Sequence, residues 1–344
     1  MKKTSSISIC ARILAAALIM AHTLSCAPAL AVGEYQAGGG SATGDHSIAI
    51  GGNAAAKEVN AVAIGTDAEA SSFNSMALGY DSKARGTASF AAGYLAIANG
   101  GYSIATGYKS YAHGNDSISI GNNSRAMGAG AAAMGVFSAA NGSYSIAVGY
   151  KSYAYTDNSI AVGSRSNTRG PNAIAVGVTA DAGGLCATAI GTGSTTHRDY
   201  SMAAGYKSLA YGLESIAVGT KSAASGDRSI ATGSRASASG LESIAVGNSS
   251  TADGTYSIAT GVNSAAGGFC STAIGTGSTA SGFHSIAAAT NSTASGDYSI
   301  ATGYQSIASG IQSTAVGANS TASGDYSISP LVSTLPPAAS VLRP

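Results

Sequence analysis

Histidine, cysteine and carboxylate side chains are the groups through which this chain could hold a metal or perform acid–base or nucleophilic chemistry, and their spacing works against all of it. A metal needs its ligands around one point. His113 and His197 share a phase but stand 84 residues apart, and His46 and His284 are farther apart still. Cys186 and Cys270, the two cysteines left once a leader is removed, are also 84 residues apart and match no metal or redox spacing. Asp45, Asp227, Asp297 and Asp325 flank glycines just ahead of apolar segments, where turn formation accounts for them. Calcium would need several carboxylates at one site, and the nonapeptide pattern of calcium-binding rolls is absent. No catalytic, metal-ligating or cofactor-binding residue is assigned, no cofactor is expected, and the chain does not read as an enzyme.

Tyrosine is the remaining side chain with contact chemistry. Tyr80, Tyr94 and Tyr108 follow one another at fourteen-residue intervals, and Tyr150, Tyr206 and Tyr304 share their phase. Tyr102, Tyr144, Tyr200, Tyr256, Tyr298 and Tyr326 share a second phase. Ladders of rings ~4.8 Å apart would brace the corners of a coil. Exposed tyrosine is also favoured in interfaces, which makes Tyr80, Tyr94, Tyr108 and Tyr150 candidate ligand contacts.

The element that positions these residues is a repeat. A glycine recurs every fourteen residues from Gly51 and Gly65 to Gly275, Ala289 takes one place, and Gly303 and Gly317 resume the series. That makes twenty rungs with no inserted or deleted residue. Before each glycine stands a segment such as Ser47-Ile48-Ala49-Ile50 or Ser145-Ile146-Ala147-Val148. Its apolar period is two, which selects strand over helix. A lesser echo, such as Ser110-Tyr111-Ala112-His113-Gly114 or Ser306-Ile307-Ala308-Ser309-Gly310, forms the second half of each unit. It lacks the regular bulky pair and is placed on the solvent side. Parallel stacking of such rungs satisfies the backbone of each strand above and below, so the expected fold is all-β, a parallel β-solenoid with fourteen-residue rungs.

Forty-seven glycines, five phenylalanines and no tryptophan leave little to fill a thick core. The coil must be thin, with Ala49, Ala63, Ala77, Ala105 and Ala147 inside. Isoleucines then have no room within. Ile48, Ile104, Ile146, Ile160, Ile216, Ile244, Ile258 and Ile300 are expected to form an outer stripe ~95 Å long, too large to remain wet on a soluble monomer. Burial against identical copies covers it, so these eight are candidate interface residues. The alternative is a fatter monomeric coil with the bulky residues inside, although its opposite strand lacks matching bulk. Periodicity fixes neither copy number nor hand. The two cysteines, six rungs apart, would stand ~29 Å from each other, beyond reach of a disulfide.

Charged residues are only 10% of the chain, against roughly 25% in ordinary soluble domains. The net charge of +1 becomes about −2 once Lys2, Lys3 and Arg12 leave with a leader. No dense basic patch supports a nucleic-acid partner. The start reads as a secretory signal over 1–31: Lys2 and Lys3, an apolar stretch from Ile13, then Ala29-Leu30-Ala31 as the cleavage site. A membrane anchor is the weaker alternative, because His22, Thr23, Ser25 and Pro28 interrupt the run. Leu24-Ser25-Cys26 makes a poor lipoprotein signal.

The Ser-Ile-Ala-Ile-Gly segment followed by Ser-x-Ala-x-Gly resembles the head repeats of trimeric autotransporter adhesins of the YadA type, from about Ser41 to Ser329. The strand segments Ser47 to Gly51, Ser145 to Gly149, Ser215 to Gly219 and Ser243 to Gly247 match most fully. The resemblance implies a left-handed β-roll, a homotrimer, and display on the outer face of a Gram-negative bacterium. It also implies adhesion to host collagen, another extracellular matrix protein or cells. Segments of this kind build the coil as well as being linked to matrix binding. The departure lies beyond Ser329, where a Pro-rich stretch from Pro330 to Pro344 shows neither the heptads of a stalk nor the strands of an outer-membrane anchor.

The domain reading is therefore a signal peptide over 1–31, a lead-in over 32–46, the β-roll over 47–329 and a Pro-rich disordered tail over 330–344. The expected function is a cell-surface adhesin head, with self-association and matrix protein as partners and no nucleic acid or small-molecule substrate. The alternative is a structural spacer, or a truncated remnant that is not displayed. A polysaccharide-cleaving solenoid would need a wider, charged groove, and an ice-binding one a flat threonine array. Glycines at 183, 184, 267 and 268 mark an 84-residue higher-order repeat that suggests internal duplication.

Overall fold

A computed structural model describes residues 33–330. Among them every regular element is a strand. Each repeat supplies one longer and one shorter strand, as in Ile146–Val148 and Tyr153–Ala154. Both pair in parallel with their equivalents one repeat later: Ile146 faces Ile160, Ala147 faces Ala161, and Tyr153 faces Asn167. The longer strands build one sheet of twenty-two and the shorter ones a second of twenty-one. Alanines from both sheets, such as Ala203, Ala210, Ala217 and Ala224, share one interior cluster. The sheets are thus the two walls of a single flattened coil.

Four positions per rung point inward. In one rung they are Ser145, Ala147, Ser152 and Ala154, all fully buried. The largest wholly buried side chains in the described coil are Thr168 and Thr196. A cross-section this thin has no space for a branched apolar residue, and the residues flanking the central alanine face outward. Ile104 and Ile258 are each 37% exposed. The fatter coil with its isoleucines inside is excluded.

Both corners of a rung use left-handed backbone, and not only at glycine. Tyr144 has φ +56° and Lys151 φ +52°, a conformation that costs an L-residue roughly 1–2 kcal/mol. Stacking offsets this, because Tyr144 N donates to Ala129 O at 2.7 Å and Lys151 N to Val136 O at 3.0 Å. The conserved phase of the main glycine has a sharper cause. Gly149 has φ +128°, and a Cβ there would lie 2.5 Å from Gly163 O in the next rung. Ala289 departs from the pattern at φ +139°. Beside it the bond from Gly303 N to Ala288 O is 3.2 Å, against 2.8 Å for the equivalent bond from Gly219 N to Ala204 O.

The coil starts earlier than the strand motif alone suggests. Tyr35–Ala37 pairs with Ile48–Ile50, and Ser41–Ala42 with Ala55–Ala56, so the lead-in assigned to 32–46 already contains a rung. Tyr35 faces Ile48, thirteen residues on instead of fourteen. The missing residue comes from a corner in which Gly38 and Gly39 take φ +61° and +85°. The expected signal peptide over 1–31, and the expected tail from residue 331 on, lie outside the described residues.

Candidate functional site

Three surfaces of the coil offer contact chemistry, and each is a column of equivalent positions. The first lies on the outer face of the longer strands. Ile48, Ile104, Ile146, Ile160, Ile216, Ile244, Ile258 and Ile300 all occupy the first position of such a strand. In stretches they are direct neighbours, as where Ile216 faces Ile230, Ile244 faces Ile230, and Ile258 faces Ile244. The third strand position forms a parallel column that includes Ile190, Val218, Val246 and Ile274, at 46%, 37%, 37% and 48% exposure. From Ile48 onward the band keeps at least one bulky apolar side chain per rung and is two wide where both columns hold one, as at Ile216 and Val218, while Thr188, Thr232 and Thr272 narrow it to one. Its central alanine points the other way.

The second surface is the corner after the main glycine. Tyr80, Tyr94 and Tyr108 stack there, with ring centroids 5.1 and 5.3 Å apart and planes 11° and 6° from parallel. Tyr150, in the same phase, meets Phe137 edge-on at 6.5 Å. All four tyrosines are exposed. The next residue is often cationic and folds back over the ring: Lys109 over Tyr108 at 5.1 Å, Lys151 over Tyr150 at 5.3 Å, Lys207 over Tyr206 at 5.3 Å. The second tyrosine phase does not form the ladder expected of it. Tyr102, Tyr144, Tyr200, Tyr256, Tyr298 and Tyr326 stand two to four rungs apart, too far to stack on one another. They occupy the left-handed corner instead. There Tyr298 stacks on His284 at 5.5 Å and Tyr256 meets Phe269 edge-on at 5.6 Å.

The third surface is the outer face of the shorter strands, where reasoning from the sequence saw only a weak echo. Consecutive outward positions read Tyr111, Arg125, Ala139 and Tyr153. One short side chain between long ones leaves a shallow open groove of about 1010 Å³. Phe137 and Lys109 rim it at the corner, and Met127 and Tyr155 at the opposite side. Tyr153 and Tyr155 lie parallel with centroids 5.6 Å apart. The Tyr111 hydroxyl accepts from Asn99 Nδ2 at 3.1 Å and lies 3.1 Å from His113 Nδ1. This relief fades along the rod: from Ala223 onward the same column holds Ser237, Thr251, Ala265, Thr279 and Thr293.

The groups that might have done chemistry do structural work. Asp227, Asp297 and Asp325 each accept, through Oδ1, the backbone N–H of the residue one rung earlier, Leu213, Phe283 and Ile311, at 2.8–2.9 Å. Asp157 and Asp199 do the same for Ser143 and Leu185. These carboxylates tie rung to rung, a role that spacing alone did not separate from ordinary turn formation. Among the described residues no three histidine, cysteine or acidic side chains gather as metal ligands. Cys186 and Cys270 are free thiols. The Glu69 carboxyl is held below its ordinary value of 4.5 chiefly by a hydrogen bond from Lys57, against partial burial. Lys57 Nζ lies 2.6 Å from Glu69 Oε1, and Arg85 approaches the other oxygen at 3.9 Å.

With two parallel sheets, an interior of alanine, serine and two threonines and outward isoleucines in place, comparison with known families is decisive. The YadA head domain repeat matches in successive, partly overlapping segments that run from 42–68 and 70–96 through 290–306 and 308–329. The chain belongs to the YadA head repeat family. No curated protein matches. A similar solved structure is the crystal structure of the collagen-binding domain of the Yersinia adhesin YadA. It is 23% identical to this YadA-like head over 55% of this chain and 66% of that one, with a TM-score of 0.20.

Proposed function

We propose that this chain is the adhesive head of an exported bacterial surface protein. In this reading it is a homotrimer of left-handed coils that attaches to extracellular matrix protein or to cells through many weak contacts along the rod. The observation that carries the reading is the unbroken apolar band on the longer-strand sheet of a member of a head-repeat family. At the parallel-strand spacing it runs for ~100 Å, far beyond the apolar patch a soluble monomer tolerates. Cyclic association of copies through one equivalent face covers it in every subunit. That places the shorter-strand sheet, the opposite wall of the coil, toward solvent and ligand. Individually weak sites repeated along three chains give avidity without a deep pocket.

A second reading is favoured by one specific feature. From Ala223 onward the shorter-strand face carries only small residues over most rungs, which suits a spacer that lifts a binding region away from a surface. Light scattering on residues 32–329 tests assembly, with a trimer as the expected mass and a stable monomer as the result that defeats the buried-band reading. Saturable attachment of purified protein to collagen, fibronectin, laminin or cells tests adhesion, and its absence on all of them leaves only the spacer.

A further inference from the structure

The groove on the shorter-strand face between Leu95 and Tyr155 combines a small-residue floor, parallel tyrosine rings and cations. Its floor is Ala139, and its walls are Tyr111 and Arg125 on one side and Tyr153 on the other. The parallel rings of Tyr153 and Tyr155 present flat apolar faces. Lys109 and Arg125 line it, and Lys151 sits at the adjoining corner, over the ring of Phe137 at 6.0 Å. Among the described residues none of these three cations is ion-paired. Elsewhere on the same face the cations are neutralised, Lys57 by Glu69 and Arg169 by Asp181. Side-chain amides of Asn123 and Asn141 complete the lining.

From this we infer that the groove is a binding site for an acidic polysaccharide segment, with sugar faces against the tyrosines and carboxylate or sulfate groups on Arg125 and Lys109. Arginine and lysine donate charge-assisted hydrogen bonds to such oxyanions, rings give the sugar C–H face an apolar partner, and amides reach hydroxyls. A peptide fits less well. Strand addition needs an unpaired main-chain edge, and here the backbone of each rung is bonded above and below. Anchor side chains need depth, and the groove is shallow. It opens outward to solvent, and it lies on the wall opposite the isoleucine band, so covering that band leaves it free.

The inference deepens the adhesin reading by naming a ligand class, and it rests on that reading only for access to an outside partner. Its test is direct binding of the full chain at physiological salt to a heparin oligosaccharide, a hyaluronan oligosaccharide, neutral dextran and polyglutamate. Saturable binding to either acidic glycan, and none to dextran, is the expected result; the arm that binds identifies sulfate or carboxylate as the recognised group. Arg125→Gln and Tyr153→Ala each weaken binding by about tenfold. Ala139→Tyr fills the notch and abolishes it, while melting stays unchanged because the same column already holds Tyr111 and Tyr153. No binding to either acidic glycan overturns the proposal, as does equal binding of polyglutamate or undiminished binding by the folded Ala139→Tyr chain. Cell attachment that survives Ala139→Tyr removes the groove and keeps the adhesin reading. Glycan binding without any cell or matrix attachment does the reverse.

Discussion

At the scale of single residues, the fold is written in positions where one atom too many meets the next rung. Gly149→Ala forces a Cβ to within 2.5 Å of Gly163 O at a φ of +128° and is expected to destabilise by about 1–3 kcal/mol. Ala289→Gly should raise stability by a similar amount, because it relieves the same backbone strain at φ +139°. Denaturant midpoints of the two variants, shifted in opposite directions, check both; a lower midpoint for Ala289→Gly would contradict the account. The glycine series was legible because no other residue readily takes that conformation. The left-handed corners at Tyr144 and Lys151 were not, because their strain is offset by bonds to another rung that sequence reasoning does not see. Glu69 adds a pH dependence. Its folded pKa lies below 4.5, lowered first by the Lys57 hydrogen bond. The stabilisation it gives is therefore present above that value and is lost as pH falls through the folded pKa. Lys57→Met should destabilise the coil at neutral pH, and the gap to the unaltered protein should narrow as acid protonates Glu69, as read by urea midpoints across an acid pH series.

At the scale of one rung and its neighbour, backbone pairing accounts for most of the cohesion, and side chains serve the few groups it leaves over. The Leu213 N–H is one such group, received by Asp227 at 2.8 Å. Asp227→Ala should cost about 1 kcal/mol, while Asp227→Asn, which keeps an acceptor oxygen, should cost less. Hydrogen exchange at the Leu213 amide separates the two, with faster exchange expected only in the alanine variant. Buried serines divide in the same manner. Ser145 Oγ donates to Gly142 O at 2.6 Å, whereas Ser257 Oγ has no partner. Ser145→Ala is expected to destabilise and Ser257→Ala to be neutral or stabilising, since removal of an unpaired buried hydroxyl lifts a desolvation cost of about 1–3 kcal/mol. Equal losses from both would show that Ser257 is bonded in solution. Strand positions and the parallel register could be read from the fourteen-residue period. The thirteen-residue first rung could not, because Tyr35-Gln36-Ala37 lacks the serine and isoleucine that mark the others and its glycine, Gly38, falls thirteen residues before Gly51 and not fourteen.

At the scale of the molecule, the outward isoleucine column decides how the rod is used. Ile160→Asp places a charge in the middle of the apolar band and should dissociate the proposed trimer or weaken it by at least about tenfold, through desolvation of an unpaired carboxylate. Light scattering across a concentration series reads the change, and an unaltered mass would show that this face is not the interface. That column was legible because strict alternation sends Ile160 to one side and Ala161 to the other. The groove around Ala139 was not legible, because it depends on the relative sizes of Arg125, Ala139 and Tyr153 across three rungs, and a repeat consensus averages such differences away.

Each rung meets only the rung before it and the one after, and beyond the first rung the register is the same and the four inward residues are small. Whole units can therefore be gained or lost along the rod with the backbone pairing and the thin interior kept, and only side-chain contacts particular to one junction change. Reach becomes a quantity that inheritance can adjust in increments of ~4.8 Å, and a lineage can lengthen or shorten it by copying errors alone, with no compensating substitution.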